Sequence, residues 1–167
     1  MIHVGLGRDL HSLIKGRRFL LAGVRIPCER GELGHSDGDV LAHAVCDAIL
    51  GAAGLGDIGA LFPPSDPQYK DADSMALLRH AFGLVKKSGW RLLNIDCTVC
   101  CEKPKLLPYR NQIRQALAQA LEAQTEAVFV KGKTAEGLGP VGEGMAVEAM
   151  AVCLLEKEDY TGTASAP

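Results

Sequence analysis

The sequence predicts a two-layer α+β fold, in which a mixed β-sheet carries helices on one face. Two observations lead to this fold class. Three segments place apolar residues at helical spacing, and the segments between them include short alternating or β-prone runs. Strands interleaved with helices bury most apolar surface when the helices pack against one sheet. The chain of 167 residues has room for one such domain, which we expect to span residues 1–157.

The predicted strands are short and are bounded by glycine, proline or polar residues. The run 93–101 alternates apolar and polar residues over most of its length, as a half-buried strand does. The stretch 145–155 also alternates, and its place after a glycine-rich loop favours a strand over a helix. In chain order, the predicted strands are Ile2–Leu6, Phe19–Ala22, Val24–Ile26, Leu93–Cys101, Ala127–Lys131 and Met145–Leu155.

The predicted helices are Val40–Ala53, Ser74–Ser88 and Pro108–Leu121. In the first of them apolar residues recur with helical period, Asp37 or Ser36 offers an N-cap, and Gly54 offers a stop. The segments 27–38 and 63–67 are predicted loops, and the second is rigid because it contains three prolines. The polar end, 158–167, is predicted to be a disordered tail.

One face of the predicted sheet is left without helices. A sheet can face water on one side, but the last predicted strand is apolar on both of its faces. The uncovered face therefore needs a partner, and self-association is the expected one.

Charge and composition exclude several classes of partner. The net charge is −2 and no block of basic residues occurs, so we expect no nucleic-acid partner. No apolar run approaches the roughly 18 residues of a membrane span, and we expect no membrane association. The start has no secretory leader, which predicts a cytoplasmic protein whose six cysteines stay reduced. Cys97, Cys100 and Cys101 have no second ligand pair at the spacing of structural zinc sites.

Two residue clusters suggest a metal site. Asp9 and His11 follow the first predicted strand and, two residues apart in extended backbone, project to the same side. His43 lies on the first helix between Asp39 and Asp47, all at i, i+4 spacing. Asp9, His11 and His43 would give nitrogen and oxygen donors suited to zinc, with one position open for a substrate. A solvated polar face is the alternative for each residue taken alone.

Glycine-flanked polar loops suggest phosphate binding. The loop 131–139 offers two ammonium groups, a hydroxyl, a carboxylate and backbone amides, which are groups that bind phosphates and hard cations. The loops 34–38 and 56–59 are similar. Plain turn chemistry is the alternative for each loop. The residues alone therefore predict a metal site with phosphate-binding loops and nothing more specific.

A long run on the first predicted helix carries a family resemblance. The segment 36–53, SDGDVLAHAVCDAILGAA, followed by GDIG at 56–59, resembles the signature of the 2-C-methyl-D-erythritol 2,4-cyclodiphosphate synthases. Shorter pieces occur in the family's order: GLGRDLH at 5–11, LFP at 61–63, KPKLLP at 103–108 and TAE at 134–136. The resemblance covers the chain from about Ile2 to Lys157.

The resemblance implies a phosphorus–oxygen lyase that closes a ring on its own substrate. In this family the 2-phosphate of 4-diphosphocytidyl-2-C-methyl-D-erythritol 2-phosphate attacks the β-phosphorus of the diphosphate. The products are the cyclic diphosphate and CMP, in non-mevalonate synthesis of isopentenyl diphosphate. No side-chain nucleophile is needed, so the protein contributes positioning and charge neutralisation. The family is a homotrimer with each active site between neighbouring subunits.

The resemblance also implies a role for each site residue. Zn²⁺, or a similar divalent ion, is expected on Asp9, His11 and His43, and Mg²⁺ or Mn²⁺ comes with the substrate and is held by Glu136. His35 and Thr134 would stabilise the transition state. All of these residues except His43 are also expected to contact substrate. The other expected substrate contacts are Ser36, Asp57, Gly59, Phe62, Asp66, Cys101, Lys105, Leu106 and Lys133.

Two departures from the family pattern affect these expectations. Pro64 stands where many members have Asp, so one carboxylate near the substrate hydroxyls is missing, and Asp66 is the candidate substitute. The loop 139–144 is shorter than the family's and lacks its Phe and Arg, which line a cavity on the trimer axis. An isoprenoid diphosphate is therefore not expected to bind on that axis as it does in the family.

Two other functions remain compatible with the same metal ligands. A mononuclear zinc hydrolase would use Asp57 or Asp47 as the general base. A trimeric binding protein with a structural metal would need a fourth protein ligand, which the sequence does not supply. His3 and His80 are predicted to be packing or surface residues rather than ligands.

Overall fold

The structure is a computed structural model that describes residues 1–157, so the predicted tail at 158–167 lies outside the described residues. Within residues 1–157, five strands form one mixed sheet and two short strands form a separate hairpin. In chain order the strands are β1 (Ile2–Lys15), β2 (Phe19–Leu21), β3 (Val24–Ile26), β4 (Arg30–Leu33), β5 (Trp90–Cys100), β6 (Val128–Lys133) and β7 (Ala146–Lys157).

The order of strands in the main sheet is β4-β1-β7-β5-β6, and β2 and β3 form the hairpin. All neighbours in the main sheet are antiparallel except β5 and β6, which are parallel. The two long strands β1 and β7 pair along almost their whole length, from Ile2 opposite Glu156 to Ser12 opposite Ala146. The mixed sheet of the predicted fold class is confirmed.

The helices are α1 (Val40–Ala53), α2 (Ile58–Leu61), α3 (Ser74–Lys87), α4 (Arg110–Ala120) and α5 (Gly139–Gly142). Short 3₁₀ turns lie at Pro67–Tyr69, Leu107–Tyr109 and Thr125–Ala127. The predicted span of α1 is confirmed, and the two other long helices end within a few residues of their predicted bounds. No helix within residues 1–157 is long and apolar enough to cross a membrane.

Helix α1 lies directly on β1 because the strand presents glycine to it. A Cβ added at Gly5 would lie 1.9 Å from the carbonyl oxygen of Ala48, and one added at Gly7 would lie 1.9 Å from that of Ala44. Small residues on both elements therefore bring the two backbones together. This contact places His43, the neighbour of Ala44, above the middle of β1.

The face of the sheet opposite the helices is apolar and exposed in the single chain. Val4 and Leu6 of β1 are 66% and 69% exposed, and they face solvent beside side chains from the neighbouring strands. The other large exposed apolar side chains of β1, β6 and β7 are Ile2, Leu10, Ile14, Phe129, Met150, Val152 and Leu154. The prediction that helices cover only one face of the sheet is confirmed.

Several sequence-based boundaries were wrong. Strand β1 does not stop at Leu6 but continues to Lys15, so Asp9 and His11 lie within a strand rather than in a loop after it. The predicted loop 27–38 contains β4, which pairs with the far end of β1. Strand β6 extends two residues beyond Lys131, which makes the start of the predicted loop 131–139 a strand. In each case pairing with a long neighbour extends a segment whose glycines and charges are typical of loops.

The N-cap of α1 is Asp39, not Asp37 or Ser36. Its side chain accepts a hydrogen bond from Ala42 N at 3.0 Å and another from Gly23 N at 2.6 Å. Asp39 is fully buried, and burial raises its pKa to about 6. It is therefore a structural residue that ties the β2–β3 hairpin to the helix, rather than part of a solvated polar face.

Replacing Gly7 with Ala should destabilise the fold, because the new methyl group would meet the backbone of α1 and force the helix away from β1. We expect a loss of about 2–3 kcal/mol in the free energy of unfolding, measured by urea titration. Gly83→Ala in α3 is the matched control, since a Cβ there meets nothing within 4 Å. Unchanged stability of Gly7→Ala would contradict the role given to this contact.

Candidate metal and phosphate site

Asp9, His11 and His43 converge on one point. The Oδ2 atom of Asp9 lies 2.9 Å from His11 Nε2 and 3.0 Å from His43 Nδ1. One ligand atom from each of the three residues lies within 4.8 Å of the other two. The i, i+2 spacing on β1 places Asp9 and His11 side by side, and α1 brings His43 over them. This group of nitrogen and oxygen donors could hold a divalent metal.

The outer nitrogen of each histidine has a partner of its own. His11 Nδ1 lies 2.6 Å from the carbonyl oxygen of Gly38, which can only accept, so this nitrogen carries a proton in both the charged and the neutral ring. In the neutral ring Nε2 offers a lone pair to a cation. His43 Nε2 lies 2.9 Å from Ser74 Oγ and 3.0 Å from Ser36 Oγ. Outer hydrogen bonds of this kind orient metal-binding histidines, so the donor set fits a bound cation.

The electrostatics of the cluster favour a negative Asp9. Burial alone raises the pKa of Asp9, but the hydrogen bonds and charges of His11 and His43 outweigh it and hold the pKa well below its usual range. For His11, burial lowers the pKa, yet the hydrogen bond and the charge of Asp9 overcome that effect and raise it. The ionised carboxylate of Asp9, which lies between two imidazoles, therefore favours the binding of a cation.

A cavity of about 200 Å³ opens beside these ligands. It brings together several of the residues expected to contact substrate, since His35, Ser36, Gly59 and Phe62 line it together with His11 and His43. Pro64 also lines this cavity, and it stands at the position where many members of the resembled family have Asp.

Two expected substrate contacts are engaged in local capping instead of lining this cavity. The carboxylate of Asp57 caps α2 by accepting from Ala60 N at 2.7 Å. The carboxylate of Asp66 caps the turn at 67–69 by accepting from Gln68 N at 3.0 Å. Asp47, proposed as a polar face residue, accepts from Ile58 N at 2.8 Å and so joins α1 to α2.

A second cavity of about 610 Å³ lies where β5 and β6 end. Its lining includes five expected substrate contacts, Cys101, Lys105, Leu106, Lys133 and Thr134. Lys131 and Arg110 line it as well, so its wall is rich in cations. Arg110, which begins α4, was not predicted as a site residue, because no motif marks a single arginine at a helix start.

The loop after β6 carries the expected magnesium ligand. Glu136 is exposed and has a left-handed backbone with φ +52°. Thr134 Oγ1 donates a hydrogen bond to Glu136 Oε1 at 2.5 Å, and Ala135 N donates to Glu102 Oε2 at 3.2 Å. These bonds join Thr134 and Glu136 beside the second cavity.

The two cavities are separated within one chain. Strand register sets Leu10 opposite Glu148, Glu148 opposite Cys100, and Cys100 opposite Lys133. Leu10, which lies between Asp9 and His11 on β1, and Lys133, the last residue of β6, are therefore at the same level of the sheet but three strand spacings apart, which is about 14 Å.

Known proteins share the sequence pattern and the fold of this chain. Residues 2–156 match the model of the YgbB family. The chain belongs to this family. A relative from Solibacter usitatus, named 2-C-methyl-D-erythritol 2,4-cyclodiphosphate synthase, is 54% identical over 156 residues, which are 93% of this chain and 98% of the relative.

Solved structures extend the likeness of this YgbB-family chain to the fold. A structure of 2C-methyl-D-erythritol-2,4-cyclodiphosphate synthase in a CDP-bound form superposes with a TM-score of 0.84 at 40% identity, covering 92% of this chain and 99% of that one. A bifunctional enzyme from Campylobacter jejuni gives a TM-score of 0.91 at 41% identity, and 94% of this chain is covered. The match spans 42% of that longer enzyme.

His43→Ala should weaken metal binding at least about 100-fold, since it removes one of three ligands. The affinity for Zn²⁺ can be measured by competition with a chromophoric chelator. His80→Ala is the matched control, because His80 is exposed and its ring contacts Phe62 rather than the metal ligands. Wild-type affinity in His43→Ala would refute the metal site.

Proposed function

We propose that this chain is a 2-C-methyl-D-erythritol 2,4-cyclodiphosphate synthase of isopentenyl diphosphate synthesis. It would convert 4-diphosphocytidyl-2-C-methyl-D-erythritol 2-phosphate into the cyclic diphosphate and CMP. The observation that carries the proposal is the convergence of Asp9, His11 and His43 beside a cavity lined by His35 and Ser36, in a chain of the YgbB family.

The reaction moves one phosphoryl group within one molecule. An oxygen of the 2-phosphate forms a bond to the β-phosphorus, and the bond from that phosphorus to the bridging oxygen breaks. The bridging oxygen and its electron pair leave with CMP, and no water is consumed. Zn²⁺ on Asp9, His11 and His43, and Mg²⁺ or Mn²⁺ on Glu136, would supply positive charge to phosphate oxygens when bound. The side chains hold the substrate in line and keep water out.

The remaining residues bind the two ends of the substrate. The small cavity, with Ser36, Gly59 and Phe62, has the size for a methylerythritol unit. The larger cavity, with Cys101 and Leu106, suits a nucleotide. His35 would donate to phosphoryl oxygens from the first cavity, and Thr134 from the second. Lys105 and Lys133 add positive charge where the diphosphate joins the nucleotide.

We infer that each active site is shared between two copies of the chain. Both metal sites serve the same diphosphate, so they must come within a few ångströms of each other. Within one chain the strand register puts Leu10, beside Asp9 and His11, about 14 Å from Lys133, where β6 ends and the loop to Glu136 begins. The uncovered apolar face around Val4 and Leu6 supplies a surface for association, and a homotrimer satisfies both requirements.

The other two functions have weaker support. A hydrolase needs a general base near the metal, but no carboxylate among the described residues lines the small cavity, and Asp57 and Asp47 are used in capping and linking. A structural metal needs a fourth protein ligand, whereas the group within residues 1–157 consists of Asp9, His11 and His43.

Incubation of the purified protein with 4-diphosphocytidyl-2-C-methyl-D-erythritol 2-phosphate, Zn²⁺ and Mg²⁺ should release CMP together with the cyclic diphosphate. Because the nucleophile is a phosphate oxygen of the substrate, products formed in ¹⁸O-labelled water should carry no label. Mass spectrometry measures both results, and His43→Ala protein serves as the inactive control. Label in the products would instead support the hydrolase.

A mixture of two inactive variants should recover activity if sites are shared. His43→Ala damages one half of a site and Glu136→Ala the other. After unfolding and joint refolding in equal amounts, about a quarter of the sites should combine two intact halves. CMP release measures the recovery, and each variant refolded alone is the control. A mixture as inactive as its components would show that one chain supplies the whole site.

A further inference from the structure

Asp37 and Ser74 form a chain of hydrogen bonds that ends on a metal ligand. Ser74 is the first residue of α3 and is fully buried, and its Oγ lies 2.9 Å from His43 Nε2. Asp37 accepts from the same residue twice, through Oδ2 from Ser74 N at 3.2 Å and through Oδ1 from the Ser74 hydroxyl. The carboxylate is therefore linked to the imidazole through one serine.

The direction of these bonds follows from counting protons. A carboxylate can only accept, so the single hydroxyl proton of Ser74 is used on Asp37. The oxygen of Ser74 is then left as an acceptor that faces His43 Nε2, and it favours the ring with its proton on that nitrogen, whereas Asp9, 3.0 Å from Nδ1, favours the opposite tautomer. The tautomer with Nε2–H leaves a lone pair on Nδ1, which is the nitrogen that faces Asp9. We propose that Asp37, acting through Ser74, is the positioning residue that holds His43 in its metal-binding tautomer.

Ser36 shows why the carboxylate is needed. Its Oγ lies 3.0 Å from His43 Nε2 and 3.0 Å from Ser74 Oγ. A hydroxyl can donate or accept, so two serines alone leave the proton of the imidazole on either nitrogen. The acceptor-only carboxylate of Asp37 makes Ser74 an acceptor at Nε2, and so it opposes the pull of the Asp9 carboxylate on the proton at Nδ1. His11 needs no such device, because the carbonyl of Gly38 can only accept.

Asp37 is itself held firmly. Its N–H donates to the carbonyl of Ala72 at 3.0 Å, and its Oδ1 also accepts from Asp39 N at 3.2 Å. Arg17 fixes the preceding residue by donating to the carbonyl of Ser36 at 3.1 Å. A carboxylate fixed from several sides can set the orientation of a rotatable hydroxyl.

The role rests on the metal site of the proposed function, and the test uses a readout that needs neither metal nor substrate. Asp37→Asn keeps the shape but turns one acceptor into a donor. The new NH₂ then opposes the N–H of Ser74, or it points at Ser74 Oγ and releases the hydroxyl proton toward His43. We expect a larger share of the His43 rings to carry the proton on Nδ1 in the metal-free variant than in the metal-free wild type, because Asp9 accepts at Nδ1 while Ser74 no longer competes for the proton at Nε2.

The tautomer is read from ¹⁵N NMR of the imidazole, recorded over a series of mildly alkaline pH values. The resonances are assigned by their loss in His43→Gln. Affinity for Zn²⁺ should fall about 10–100-fold in Asp37→Asn. Asp73→Asn is the matched control, because Asp73 neighbours Ser74 and undergoes the same charge change, yet its carboxylate accepts from Met75 N instead. We expect this control to keep the tautomer and the affinity.

A wild-type share of the Nε2–H tautomer of His43, together with a wild-type affinity for Zn²⁺, would overturn the proposal if both were found in Asp37→Asn. If that variant fails to fold, the same two measurements are made on Ser74→Ala. We expect a smaller share of the Nε2–H tautomer in Ser74→Ala, and a wild-type share would contradict the proposal. A wild-type protein that releases no CMP would refute the proposed function, and the NMR result would still decide the role of Asp37.

Discussion

The close contact between α1 and β1 is the constraint on which the site depends. Gly5 and Gly7 let the carbonyls of Ala48 and Ala44 approach the strand to a distance that no side chain would allow. Two of the candidate metal ligands, Asp9 and His11, belong to the strand and the third, His43, to the helix, so the spacing of the backbones sets the geometry of this cluster. The contact between α1 and β1 therefore packs the core and also positions the candidate ligands.

The loop between β4 and α1 then orients what this contact brings together. Gly38 supplies the carbonyl that directs His11, and Asp37 and Ser36 surround the outer nitrogen of His43. The same loop caps α1 through Asp39 and is joined to α3 through Ser74. A single irregular segment therefore ends two elements and orients two ligands, which explains why its short stretch 36–39 consists of polar residues and glycine.

Local pattern predicted what depends on local geometry. The i, i+2 spacing placed Asp9 and His11 side by side, and helical period gave the span of α1. The convergence of His43 with them could not follow from spacing, because it depends on contact between distant segments. The length of β1 was missed because its glycines and charges are typical of a loop, and only its pairing with β7 makes it a strand. Ser74 carried no signal, since a serine at a helix start is ordinary capping chemistry.

The separation of the two cavities links the fold to assembly. Strand order and register hold Leu10 of β1 and Lys133 of β6 three strand spacings, or about 14 Å, apart across a hydrogen-bonded sheet. In the proposed function, the groups that neutralise one diphosphate therefore meet across an interface. The apolar face that helices leave uncovered lies on the strands that carry both sets of groups. In the proposed function, a single association step therefore buries that face and completes the site. An isolated chain would then fold but could not catalyse the reaction.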